Sequence, residues 1–141
     1  RLLFDWGYAT IDADINYLES DGLYHMMIKK EGGTPGLFTA TAPKLTGPWS
    51  EPVDDDYVDF EGKKKCEGVS AFQLAGDSTW LIGYIEYSSK PKRYRICRAD
   101  KYLRNFHSPQ DIKGVEAPQH GSFMRLTKEE YERLERWGAG K

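Results

Sequence analysis

Asp12, Glu67 and His120 each open a stretch that resembles the next, and their side chains are those of acid–base and cation chemistry. A carboxyl gives or takes a proton at a pH its surroundings set, and an imidazole titrates close to neutrality. Two carboxyls brought together move apart in ionisation: the one that keeps its charge holds its neighbour protonated, as a donor. A single acidic residue at a strand start is more often a cap or part of a solvated turn, since perturbed functional acids are a minority. Repetition lifts these three above that level. Glu67 follows Asp12 by 55 positions (67 − 12), and His120 follows Glu67 by 53 (120 − 67).

The elements that must position them read as strands. From Asp12 to Leu18 a strand runs into the turn Ser20-Asp21-Gly22, and Leu23 to Ile28 forms the second. After the glycine-rich turn Glu31–Gly36 comes a third, Leu37 to Ala42, and the unit closes on Lys44-Leu45-Thr46-Gly47-Pro48-Trp49. Residues 67–107 repeat the scheme. Glu67 to Leu74 leads into Ala75-Gly76-Asp77, Thr79 to Ile85 follows, and Tyr94 to Ala99 ends a unit closing at Phe106. Strand–turn–strand–turn–strand units with an aromatic at a fixed late position predict β-propeller blades. A third unit begins at His120 and is expected to form one strand through Leu126. A helix is expected next, with Thr127 and Glu130 as a capping box, Leu126 and Tyr131 as a staple, and Gly138 as its stop. Its Tyr131, Leu134 and Trp137 share one face, which is expected to pack on the sheets.

The sequence thus predicts an all-β fold, a partial β-propeller of about two and a half blades with a short C-terminal helix; the resemblance given below implies that the full ring has five blades. Residues 1–141 make one incomplete domain. Propellers close with roughly 4–8 blades, so the chain is expected to be a fragment, or to need missing N-terminal blades or self-association to cover its apolar sheet faces. The innermost strands of blades begin beside the central channel, so Asp12, Glu67 and His120 are expected to meet there. Convergent carboxylates at a channel mouth suit glycoside hydrolysis, where one acid protonates the leaving oxygen while another carboxylate activates water or tunes its partner.

Composition narrows the partners. A net charge of −2 with interspersed signs leaves no basic stripe for nucleic acid. No apolar run reaches the roughly 20 residues a membrane helix needs. Aromatics at 13% serve both core packing and stacking on sugar rings. Cys66 and Cys97 lie in different strands and are expected to be unpaired, buried thiols rather than a disulfide.

Ile11-Asp12-Ala13, Thr46-Gly47-Pro48-Trp49-Ser50, Cys66-Glu67-Gly68 and His120-Gly121-Ser122, followed by Leu126-Thr127-Lys128-Glu129-Glu130-Tyr131, resemble glycoside hydrolase family 43. That family comprises five-bladed propellers that cleave arabinose- and xylose-containing polysaccharides with inversion. The resemblance implies that Glu67 is the general acid and that Asp12 orients it and tunes its ionisation. It makes His120 a channel-floor residue that contacts substrate, where some relatives hold a calcium ion or water; no cofactor is required. Val69 and Gln119 depart from the family's usual Pro after Glu-Gly and Arg before His-Gly, which bears on sugar contacts. The family's general base is an Asp on the first blade and has no counterpart here, since Asp5 is too near Asp12 to belong to another blade. The resemblance therefore implies a glycosidase as the full-length parent, an inactive chain in isolation, and an extracellular or periplasmic setting.

Trp6 and Tyr8 are candidates to line a sugar subsite, and core packing between blades is an equal reading. Asp54-Asp55-Asp56 and Lys63-Lys64-Lys65 read as solvated turns. Two other functions remain open: a carbohydrate-binding propeller without catalysis, and a structural half-ring assembling from two copies.

Overall fold

A computed structural model describes residues 2–31, 36–60 and 65–140. Two antiparallel sheets make up the body. The first orders β1 (Thr10–Leu18), β2 (Leu23–Lys30) and β3 (Gly36–Ala42) side by side. The second orders β4 (Cys66–Gln73), β5 (Trp80–Glu86), β6 (Arg93–Ala99) and β7 (His107–Asp111). One helix, α1 (Lys128–Ala139), ends the chain's regular structure. The fold is all-β and propeller-like, with each sheet a meander of the kind that forms a blade.

Strand alternation explains how the sheets stack. Successive side chains of a strand point to opposite faces, so Met27 and Met26 on β2 face opposite ways. Met27 and Leu37 join Val69, Ala71, Ile82, Tyr84 and Cys97 of the second sheet in one core between the sheets. Met26, Ile28, Ala40, Ala42 and Trp49 form a second cluster on the first sheet's other face, where Phe4 and Trp6 pack on it. Phe106 packs on the core between the sheets and against Phe60. Trp49 and Phe106 thus lie on corresponding faces of their sheets, as a repeat requires.

The inner strands β1 and β4 approach each other directly. Asp14 joins them: its Oδ2 accepts from the Ala71 amide at 3.1 Å and from Asn16 Nδ2 at 2.6 Å. Burial pushes the Asp14 carboxyl up from its ordinary range, and these two donors offset part of the rise. Cys66 and Cys97 are free and buried, and burial pushes the Cys97 thiol up to about 12.

Four features differ from the sequence expectation. A fourth strand, β7, pairs with β6 although its sequence His107-Ser108-Pro109-Gln110-Asp111 carries no apolar alternation. It is an exposed edge strand, where Pro and charge are tolerated and discourage further pairing. In the first sheet, among the described residues, an isolated bridge, Phe38 to Tyr57, stands at that place. Residues 120–126 do not form a strand; the segment crosses the second sheet's far face, where Phe123 stacks on Phe72 at 4.1 Å between centroids. A third inner strand needs a hairpin partner, and the chain turns into α1 instead.

The helix has the expected cap. Glu130 N donates to Thr127 Oγ1, and Thr127 N donates to Glu130 Oε2. Its apolar face, however, does not pack on the sheets: Tyr131, Leu134 and Trp137 are 53%, 51% and 65% exposed. The helix also runs past Gly138, to a C-cap at Gly140. The Asp54–Asp56 stretch is a solvent-exposed 3₁₀ turn. The glycine-rich turn at 32–35 and the residues Lys63 and Lys64 lie outside the described residues.

Candidate active site

The site forms where the two inner strands begin. Both strands carry a β-bulge there, between Ile11 and Asp14 in β1 and between Glu67 and Ser70 in β4. Bulges bend a strand and re-aim its side chains. Asp12 sits in the first bulge with φ +57°, a left-handed conformation that Asp tolerates better than most residues, and Gly68 sits in the second with φ +61°. Matched by their bulges, Ile11 corresponds to Glu67 and Asp12 to Gly68. The two carboxylates are therefore offset by one residue between the sheets, where the sequence repeat had aligned them.

The bulges nonetheless bring the acids together. One ligand atom each from Asp12, Glu67 and His120 lies within 4.8 Å of the others. His120 Nε2 stands 3.6 Å from Asp12 Oδ2, close enough for charge attraction and too long for a hydrogen bond. Asp12 Oδ2 is itself buried and has no hydrogen-bond partner among the described residues. A buried carboxylate oxygen of this kind has strong acceptor capacity to spare.

His120 reaches the cluster by lying over Gly68. A Cβ built at Gly68 would come within 2.5 Å of His120 Cδ2. Gly68→Ala therefore has to expel the ring as well as strain a left-handed backbone. We expect it to lower activity roughly tenfold or more through lost geometry and stability by about 1–2 kcal/mol. Steady-state rates and chemical denaturation check this; an unchanged rate would show that His120 does not act at the site.

Lys29 is the site residue that the sequence reading missed. It follows Met27 by two positions on β2, so it faces the second sheet, and its side chain is only 10% exposed. Its ammonium bonds Glu67 Oε2 at 2.7 Å and Glu31 Oε1 at 2.9 Å, and lies 5.3 Å from the Tyr87 ring centroid. Burial alone would lower the Lys29 ammonium, but the bonds to Glu67 and Glu31 outweigh it and hold the group above its ordinary value. A lysine at an inward position beside Met27 was the available signal.

The donor set does not suit calcium. Calcium takes six to eight oxygen ligands, whereas this cluster offers two carboxylates and one imidazole nitrogen, with the Lys29 cation already on Glu67.

Trp6 and Tyr8 are engaged elsewhere. Trp6 stacks on Phe4 at 4.0 Å and packs on the first sheet's outer cluster. Tyr8 carries the Lys30 ammonium 4.2 Å from its ring centroid, and burial followed by the Glu51 charge pushes its hydroxyl up. Among the described residues, neither makes a hydrogen bond or ring contact with Asp12, Glu67 or His120.

Two inner strands of a propeller-like pair of sheets thus present two carboxylates at one end, and the segment crossing the second sheet brings an imidazole to them. Residues 1–132 match the family described as a probable glycosyl hydrolase domain, related to glycoside hydrolase family 43. The chain belongs to that family. No curated protein and no solved structure matches it.

Proposed function

We propose that this chain carries the acid half of an inverting glycoside hydrolase site acting on arabinose- or xylose-containing oligosaccharides or polysaccharides. Glu67 is the general acid, Asp12 orients it, and His120 contacts the sugar. The observation that carries the reading is the convergence of these three residues within 4.8 Å at the start of two inner strands, in a member of a glycosyl hydrolase family. The spacing supports this division of roles. In inverting enzymes acid and base stand roughly 6.5–9.5 Å apart, to leave room for water. Asp12 is too close to Glu67 to be that base, and it suits an orienting role instead, its unpartnered Oδ2 accepting from a sugar hydroxyl. The base then belongs to another blade of the closed ring, supplied by further sequence or a partner. Such polysaccharides lie outside cell membranes, and the reading extends to an extracellular or periplasmic setting.

The test is hydrolysis of nitrophenyl α-arabinofuranoside and β-xyloside by the full-length protein, with the product anomer followed by NMR. The expected result is release of sugar with inverted configuration. Retention of configuration, or no turnover on either, would overturn it.

A second reading, carbohydrate binding without catalysis, is favoured by one observation: the Lys29 ammonium already occupies one oxygen of Glu67, at 2.7 Å. Calorimetric binding of arabinan or xylan oligosaccharides with no turnover would establish it.

A further inference from the structure

Glu67 is held from several sides. Asp12 approaches from β1, His120 from the segment crossing the second sheet, and Lys29 from β2, with Glu31 and Tyr87 around the Lys29 ammonium. Among these, Lys29 bonds Glu67 directly, at 2.7 Å. The bond spans the interface between the sheets, from residue 29 to residue 67, and the 10% exposure of Lys29 against 23% for Glu67 makes the lysine the more fixed partner. A cation at that distance fixes where the carboxyl stands and holds one of its oxygens. A donor in this setting needs its cation to have somewhere else to go when the sugar arrives.

Glu31 supplies that place. Its Oε1 is 2.9 Å from the same ammonium, its side chain is 43% exposed, and its amide is tied to the Ala9 carbonyl at 2.9 Å. Tyr87 offers its ring to the ammonium and is itself tied by its amide to the Lys65 carbonyl. The ammonium therefore has a carboxylate and an aromatic face to retain when Glu67 turns to a sugar.

We propose that Lys29 is a positioning residue that acts through Glu67, holding its carboxyl at the mouth between the two sheets while Glu31 serves as the alternative anchor of the ammonium. The proposal rests on the reading of Glu67 as the general acid. Lys29 touches no reacting atom. It sets the position of the donor.

The experiment compares the full-length wild type with Lys29→Met, Lys29→Arg and Glu31→Gln. Two readouts are taken: kcat and KM on nitrophenyl glycosides, and the ¹³C carboxyl resonance of Glu67 at one fixed pH, assigned with Glu67→Gln. We expect Lys29→Met to lower kcat roughly tenfold, with KM changed much less, and to move the Glu67 carboxyl resonance. Lys29→Arg should restore both, and Glu31→Gln should lower kcat by leaving the ammonium wholly to Glu67. A carboxyl resonance unmoved by Lys29→Met overturns the proposal, as does a kcat that Lys29→Met leaves unchanged or a loss that falls on KM alone, which is the behaviour of a merely structural lysine. A wild type that turns over no glycoside overturns the hydrolase reading and, with it, the positioning role. A carboxyl resonance that still moves in that case shows that only the ion pair survives.

Discussion

With Glu67 as the proposed general acid, Glu67→Gln should lower kcat by about 10²–10⁴ on glycosides with poor leaving groups, the usual contribution of such a group. The amide keeps the size of the side chain and can still accept a bond from the Lys29 ammonium, which also retains Glu31 at 2.9 Å, so the fold stays intact. What disappears is the proton. The loss should therefore depend on the substrate: a dinitrophenoxide leaves without protonation, and with such aglycones the variant should approach the wild-type rate, whereas alkyl glycosides should show the full deficit. KM should change little, because the lost interaction develops in the transition state. Rates across an aryl glycoside series measure this. A deficit of the same size for every leaving group would mean that Glu67 binds or shapes the site and does not donate.

The same carboxylate shows what the sequence could and could not disclose. Glu67 and Asp12 were legible because they open repeated units, and repetition maps onto space in a blade fold. Their exact correspondence was not, because each strand hides a bulge: the extra residue changes the register without leaving a mark in the composition. The six principal strands were legible from alternation and turn residues, with Gly22 and Gly76 adopting the positive φ their turns need. β7 was not, since a polar edge strand with a central proline looks like a loop until a neighbour pairs with it. Lys29 escaped because a charge at the end of an apolar strand normally marks where it leaves the core, and only the opposing carboxylate shows that this one stays inside. The helix cap followed from local residues, Thr127 and Glu130, whereas the resting place of Tyr131, Leu134 and Trp137 depends on distant ones. Local signals fix ends and turns; side-chain partners come from pairing that no short window contains.

The loop behind the site should control its stability. Glu86, the last residue of β5, is fully buried. Ser88 and Ser89 donate to it through their hydroxyls, both amides do so as well, and Arg93 Nη2 bonds it at 2.9 Å. Burial alone would raise its carboxyl, but the serine and arginine donors outweigh that and bring it down to about 2, from 4.5 when unfolded. Arg93 and Arg95 in turn reach Asp111 on β7, so the network ties the edge strand to the β5–β6 hairpin. A group whose folded pKa is depressed adds stability above its unfolded pKa and loses that stability as pH falls towards the folded one. The wild type should thus lose about 3 kcal/mol through this group between pH 4.5 and 2. Glu86→Gln should cost a similar amount, about 3 kcal/mol, at neutral pH, and the gap between the two proteins should close as the pH is lowered. Urea denaturation at several pH values measures that gap; one that stays constant would assign the loss to packing and not to the charge. The consequence reaches the catalytic end, because the residue after Glu86 is Tyr87, whose ring lies beside the Lys29 ammonium. A protein that has lost the Glu86 anchor should hold Lys29, and through it Glu67, less firmly, so its activity should fall at pH values where it is still folded.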